Sequence, residues 1–242
     1  MGWGIFNLLA DVLFPSYCAV CGKVLIGKDN YAVACGNCWN EHFKAYKGVK
    51  CLICGHPVEK LPGSGNLCKR CLESGRRFYF EGVDFFGIYE GLIEYAIHEL
   101  KFEKNLPVAR FIGREISKHL KSFATKNRVD VITFVPVSEE RKKERGYDQC
   151  EEILKATGVN FKKLLEKTVE TERQATLEFF RRKENIKECF EVIQNVKGKR
   201  ILLFDDVFTT GATANEAAKT LKEAGAKKVF VFTVAYTILK KE

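Results

Sequence analysis

The 242-residue sequence has no apolar run approaching the roughly 18 residues that a membrane-spanning helix needs, so no spanning segment is expected. It also lacks any low-complexity or disordered stretch. Apolar residues make up 46% of the chain and charged residues 29%, the balance of an ordinary globular protein. The opening segment, MGWGIFNLLADVLFP, is apolar but has neither the basic start nor the small-residue cleavage site of a secretory leader. Instead Ile5, Leu8, Leu9, Val12 and Leu13 follow the i, i+3, i+4, i+7, i+8 spacing of one helix face. A short helix packed on its own domain is expected there rather than a membrane anchor, and the expected location is cytoplasmic. What the chain has in excess is positive charge: 40 Lys and Arg against 31 Asp and Glu, a net charge of +9. Such a surface suits nucleic acid, an anionic membrane or phosphorylated small molecules, without choosing among them.

Eight of the ten cysteines form four C-x2-C pairs, Cys18/Cys21, Cys35/Cys38, Cys51/Cys54 and Cys68/Cys71, separated by thirteen, twelve and thirteen residues. Without a secretory leader, a disulfide framework explains this pattern poorly. A C-x2-C turn offers two thiolates to one tetrahedral ion, and two turns complete a four-cysteine site, so two structural Zn2+ ions are expected. Redox chemistry fits less well, because thioredoxin-like C-x2-C motifs come singly on a βαβ frame. CAVCGK and CGNC are echoed by CLICGH and CKRC, each unit with Gly after its first pair, where a knuckle turn favours positive φ. The repeat suits two consecutive ribbons, but an interleaved pairing of first with third fits the spacing nearly as well. His42 and His56 are not needed as ligands, and Cys150 and Cys189 read as packed thiols. A module of about 75 residues with few large aliphatics builds little core, so the metal would supply most of its folding free energy.

After Gly82 apolar strands alternate with amphipathic helices. Strands are expected at Val83–Tyr89, Val129–Val137, RILLFDDV and KVFVFTVAYT. Helices are expected at Leu92–Phe102, from Pro107 through VARFIGREISKHLKSF, at Tyr147–Thr157 and at Asn215–Ala224. This alternation predicts a parallel sheet covered on both faces, with ligands beyond the C-terminal strand ends. The expected organisation is a zinc-binding module over residues 1–77 and an α/β domain over 78–242.

Two such strand ends carry chemistry. At ILLFDDVFTTGAT the strand delivers Asp205 and Asp206, then Thr209, Thr210, Gly211, Ala212 and Thr213, then a helix. Hydroxyls, backbone N–H groups and the helix N-terminus can surround a phosphate, and Gly211 lets the backbone come close. Paired carboxylates suit the vicinal hydroxyls of a ribose or a hydrated Mg2+ attached to them. A sugar and a divalent ion would also relieve the repulsion between carboxylates and phosphate. The plain alternative is a strand ending in an Asp cap and a Thr-rich turn. At the other end, Val137, Ser138, Arg141 and Arg145 lie in a segment whose RKKER run puts four cations in five positions. Arg145 is the strongest anion ligand there, since Gly146 can bring backbone near the charge. The plain alternative for Arg141–Lys143 is a solvated helix start, and for Lys101 a snorkelling surface lysine.

The string ILLFDDVFTTGAT resembles the signature for phosphoribosyl diphosphate (PRPP) in type I phosphoribosyltransferases, with Phe208 standing where smaller aliphatics are usual. Across the whole chain, VPVSEERKKERGYDQCEEIL, the residues Gln174, Leu177, Arg182, Asn185 and Phe190, HELKF at 98–102 and the cysteine-rich start resemble the competence-protein ComF family. Asp148 departs from that family's usual Asn. The resemblance implies a type I phosphoribosyltransferase fold, an α/β sheet flanked by helices, with a small double zinc ribbon in front. It implies that Asp205 and Asp206 grip ribose and order the water shell of Mg2+ bound with PRPP. It places Val137–Arg145 as the pyrophosphate loop, Lys101 as a further ligand and Arg181–Asn185 in a mobile cover over the site. The reaction implied is phosphoribosyl transfer with loss of pyrophosphate through an oxocarbenium-like transition state. Thr209 replaces the acid that purine-salvage enzymes use at this position, which argues against a purine acceptor.

The alternative is a non-catalytic protein that binds single-stranded DNA and uses the fold as ligand sensor or scaffold. Family membership implies partners in DNA uptake, a competence helicase or inner-membrane proteins, and a peripheral position at the inner face of the membrane. Trp39, Tyr46 and Phe78–Phe80 lie near basic residues but read as core rather than as a stacking platform. A metal assay on protein prepared without chelator is expected to find about two zinc ions per chain.

Overall fold

The computed structural model describes residues 15–26, 33–58, 66–74, 78–168 and 189–238. The helix expected at Ile5–Leu13 and the cover expected at Arg181–Asn185, with Gln174 and Leu177, lie outside them. Strands β1 (Ser16–Tyr17) and β2 (Val24–Leu25) form an antiparallel hairpin followed by helix α1 (Gly36–His42). Strands β3 (Val49–Lys50) and β4 (Pro57–Val58) repeat the arrangement before helix α2 (Lys69–Ser74). The internal repeat is thus structural. The Gly22 N–H donates to the Cys18 carbonyl and the Gly55 N–H to the Cys51 carbonyl, both at 2.9 Å. Both glycines have φ +71°, which only a residue without Cβ adopts cheaply.

Beyond the hairpins come β5 (Gly82–Ile88), α3 (Gly91–Phe102), α4 (Pro107–Lys126), β6 (Val131–Phe134), α5 (Glu139–Arg145) and α6 (Gln149–Thr157). The chain continues through β7 (Leu165–Lys167), β8 (Phe190–Val192), β9 (Arg200–Phe208), α7 (Ala212–Glu223) and β10 (Lys228–Tyr236). Strands β5, β10, β9 and β6 lie side by side in that order, all parallel, while β7 and β8 form a separate antiparallel pair. Alternate residues of the central strands face opposite layers, as a period of two requires. Leu202, Phe204, Phe230 and Phe232 pack with α3, α4 and α6, whereas Ile201, Leu203, Val229 and Val231 pack with α7. Burial on both faces explains the uninterrupted apolar runs in β9 and β10.

The ladder of β6 ends at Phe134 instead of running to Val137, because Pro136 has no N–H to donate; the Val135 N–H still reaches the Phe204 carbonyl at 2.9 Å. The segment expected as an anion loop is mostly helix: α5 is capped by Ser138, whose hydroxyl accepts from the Arg141 N–H at 3.3 Å, and is closed by Gly146 at φ +91°. Strand β9 runs two residues past Asp206, since Val207 and Phe208 still pair with Ala235 and Tyr236.

The ribbons pack directly on the sheet. Cys18, Leu25, Trp39 and Phe43 share a core with α3 and α4, and Trp39 stacks on Phe43 with centroids 4.4 Å apart, as the core reading of Trp39 anticipated. The Tyr46 N–H donates to the Phe86 carbonyl at 2.7 Å. Lys50 Nζ lies 2.5 Å from Asp84 Oδ1, whose other oxygen meets His119 Nε2 at 2.9 Å. Burial alone would raise the Asp84 carboxyl, but hydrogen bonding to His119 and the Lys50 charge outweigh it and hold it below the usual carboxylate range. No helix of the described residues is long and apolar enough to cross a membrane.

Helix α4 meets α6 at Gly113, where a Cβ would fall 2.5 Å from Ala156 Cβ and 2.6 Å from the Ile153 carbonyl oxygen. Gly113→Ala is therefore expected to force the helices apart and cost about 1–3 kcal/mol in urea-induced unfolding, despite the better helix propensity of alanine.

Candidate functional site

Cys18, Cys21, Cys35 and Cys38 converge, as do Cys51, Cys54, Cys68 and Cys71, with the sulfurs of each set within 4.8 Å of one another. The fold therefore makes the consecutive pairing, not the interleaved one. The thiols suit a cation. Burial raises Cys18, but backbone N–H groups of Cys21, Cys35 and Val20 outweigh it and bring the thiol down to about 6. Cys51 is likewise drawn down to about 7 by N–H groups of Cys54, Cys68 and Ile53 working against its burial. Burial and the neighbouring sulfurs push Cys38 and Cys71 well up. Four sulfurs this close ionise together only around a positive ion, which four-cysteine zinc coordination provides.

The second site lies at the C-terminal end of β9. Asp206 is buried, and its two oxygens are held from opposite sides: Oδ1 by Lys101 Nζ of α3 at 2.7 Å, Oδ2 by the Gln149 side-chain amide at 2.8 Å. The Arg145 guanidinium donates to the same Gln149 through its carbonyl oxygen. Lys101, Asp206, Gln149 and Arg145 thus form one hydrogen-bonded chain joining four elements, α3, β9, α6 and α5. Lys101 is not a snorkelling surface lysine. Burial would lower its pKa, but the charges of Asp206 and Asp205 outweigh that and raise it. Asp205 lies beside Asp206; its Oδ1 accepts the Asp206 N–H at 2.9 Å and contacts the Cys150 thiol at 3.7 Å. Burial first and the Asp206 charge second push the Asp205 carboxyl up to about 8.

Asp148 begins α6 and accepts three backbone N–H groups: Cys150 at 2.9 Å, Glu151 at 3.2 Å and, through its other oxygen, Val137 at 2.9 Å. It therefore caps a helix and anchors the turn after β6 at once. An Asn would offer one acceptor oxygen where Asp offers two. Gln149 and Cys150 were missed in the sequence. They directly follow Asp148, the N-cap of α6, which places them in its first turn facing β9.

Beyond Phe208 the chain turns through Thr209 and Thr210 to Gly211, at φ +77°, and enters α7 at Ala212, with Thr213 exposed in its first turn. Gly211 is the N-cap, so the helix has no side-chain cap and no acidic residue in its first turn. The Ala212 N–H turns to Thr210 Oγ1 at 3.3 Å. Such an end favours an anion. On the β6 side, Val137 is tied to Asp148 and Arg145 to Gln149. Arg141 and Lys143 lie on α5, and Lys142 there pairs with Glu151 at 3.8 Å.

The architecture and the two four-cysteine sites define a parallel α/β protein with a double zinc ribbon. Residues 9–72 match the family model described as a double zinc ribbon domain. The competence protein ComFC of Streptococcus pneumoniae is 34% identical over 55% of this chain and 59% of its own length, so this chain spans little more than half of that relative. The DNA utilization protein YhgH of Escherichia coli K12 is 27% identical over 78% of this chain and 84% of its own. Among solved structures, the glutamine PRPP amidotransferase of B. subtilis overlaps 57% of this chain and 30% of its own, with 21% identity and a TM-score of 0.38. The chain is thus similar to competence and DNA utilization proteins, and its residues 9–72 to the double zinc ribbon domain.

A carboxyl raised in the fold binds its proton more tightly there than in the unfolded chain, so stability falls as pH rises from about 4 towards about 8. Asp205→Asn should accordingly raise the ligand-free melting temperature by about 5 °C at pH 8 and by much less at pH 4.5, as read by scanning calorimetry.

Proposed function

We propose that this protein binds PRPP or a related ribose phosphate at the end of β9, and that it serves DNA uptake, as its relatives' names suggest for them. The observation that carries this reading is the hydrogen-bonded chain from Lys101 through Asp206 and Gln149 to Arg145, built on the strand that leads into the N-terminus of α7, which has no side-chain cap. Asp205 and Asp206 would take the ribose hydroxyls and the water shell of Mg2+. The loop from Thr209 to Thr213 would hold the 5′-phosphate by N–H and hydroxyl groups. Val137, Ser138 and Arg145, with Arg141 behind them, would face the pyrophosphate.

In the ligand-free protein Lys101 supplies the positive charge that the acid pair needs. Mg2+ bound with PRPP would neutralise the pyrophosphate and the acids together, freeing Lys101 to follow the anion. Phosphoribosyl transfer is the reaction for which these groups are equipped: the bond from the anomeric carbon to pyrophosphate breaks, an acceptor's electron pair forms the new bond, and the acceptor's proton is lost. Thr209 brings no acid to a purine ring, so the acceptor is of another kind. The zinc ribbons are structural in this reading, with no open coordination position. Single-stranded DNA, a competence helicase and inner-membrane uptake proteins are the partners that the family relationship suggests.

Calorimetric titration with PRPP and Mg2+ should give a saturable heat for the native protein. Asp205→Asn with Asp206→Asn should weaken binding about a hundredfold or more, about 2.8 kcal/mol, with the fold intact by circular dichroism. No binding to the native protein would reject the site. Binding to single-stranded DNA that does not weaken with salt would argue against phosphate contacts as its basis.

A further inference from the structure

The second zinc site and the phosphate loop are joined by a continuous row of rings. His56 directly follows the Cys51–Cys54 turn and Gly55, and its carbonyl accepts the Cys51 N–H at 2.8 Å, so the metal-binding turn positions it. The His56 ring meets the edge of Tyr236, with centroids 6.1 Å apart at 63°. Tyr236 in turn stacks on Phe208, 5.4 Å away and within 12° of parallel. The two residues are register partners on β10 and β9, and both side chains are buried. The tip of the Phe208 ring lies directly behind Gly211: a Cβ built there would stand 2.4 Å from Phe208 Cζ. Phe80 closes the edge of Phe208, with centroids 6.1 Å apart at 80°.

Among the described residues the first zinc site has no such row of rings. Cys18, Cys35 and Cys38 belong to the core shared with α3, α4 and α6, whereas Phe208, Tyr236 and Phe80 belong to the core on the α7 side of the sheet.

We propose that His56, Tyr236 and Phe208 are positioning residues through which the second zinc site, but not the first, sets the backbone of the Gly211 loop. Zinc at Cys51, Cys54, Cys68 and Cys71 holds the His56 turn, which holds Tyr236 against Phe208 and keeps that ring beneath Gly211. Opening the second site frees Tyr236 to shift, and the loop loses its backing. The aromatic ring at position 208 is what spans the gap; a leucine there packs the strand but does not reach both Tyr236 and Gly211. The part of the inference that concerns ligand affinity rests on the phosphate site proposed above.

Two measurements on the full-length protein test it: amide hydrogen exchange across residues 209–214, and calorimetric affinity for PRPP with Mg2+. Cys71→Ser is expected to lower zinc content from about two ions to about one, speed loop exchange about tenfold and weaken PRPP about tenfold. Cys21→Ser should lose the other ion and leave loop exchange within about twofold of the native protein. Phe208→Leu, with both ions retained, should loosen the loop as Cys71→Ser does. Unchanged loop exchange in Cys71→Ser after its zinc is lost would overturn the proposal. Should that variant not accumulate as folded protein, unchanged exchange in Phe208→Leu would overturn it instead. If the native protein binds no PRPP, the ligand reading fails, while the exchange data still decide the coupling.

Discussion

Two carboxylates on consecutive residues cannot stand at the buried end of a strand without compensation, and most of the site follows from how this is met. Asp206 is compensated by a cation and an amide, Asp205 by its proton affinity and a thiol. The partners come from two other elements: Lys101 from the last turn of α3, Gln149 and Cys150 from the first turn of α6. The acid pair therefore acts as the tie-point at which α3, α6 and β9 must agree. Repulsion that would destabilise an isolated turn becomes a constraint that orders the site.

The same economy governs Asp148. One carboxylate caps α6, holds the turn after β6 through Val137 and leaves Gln149 beside it facing Asp206. The RKKER run is then distributed by helix geometry rather than presented as a loop. Lys142 turns to Glu151, while Arg145, last in α5, reaches the Gln149 amide. Of the run's four cations, Arg145, which the sequence singled out, joins the network, and the other three lie on the helix.

The zinc module and the α/β layer depend on each other. Each ribbon has a turn and two short strands but little apolar volume, and it completes its core on the sheet, the first against α3 and α4, the second near Phe78 and the end of β10. Metal binding, worth about 10–16 kcal/mol in isolated structural sites, stabilises the knuckles; the sheet supplies the surface on which they rest. An aromatic residue at position 208 suits this arrangement, since a smaller aliphatic would leave space between Tyr236 and the loop.

By itself the sequence determined the elements whose cause is local. The C-x2-C turns with their glycines, the two-sided apolar strands β9 and β10, and the helix starts at Pro107 and stops at Gly158 follow from spacing, period and backbone preference. So does the order Asp205, Asp206, Thr209, Thr210, Gly211. Tertiary structure alone decided which cysteine pairs share a site, because thirteen-residue and twelve-residue spacers permit either closure. It also decided that Lys101 and Gln149, respectively 105 and 57 residues from Asp206 along the chain, meet the same carboxylate. Such contacts depend on how helices cross the sheet, and no local pattern of charge or hydrophobicity encodes that crossing.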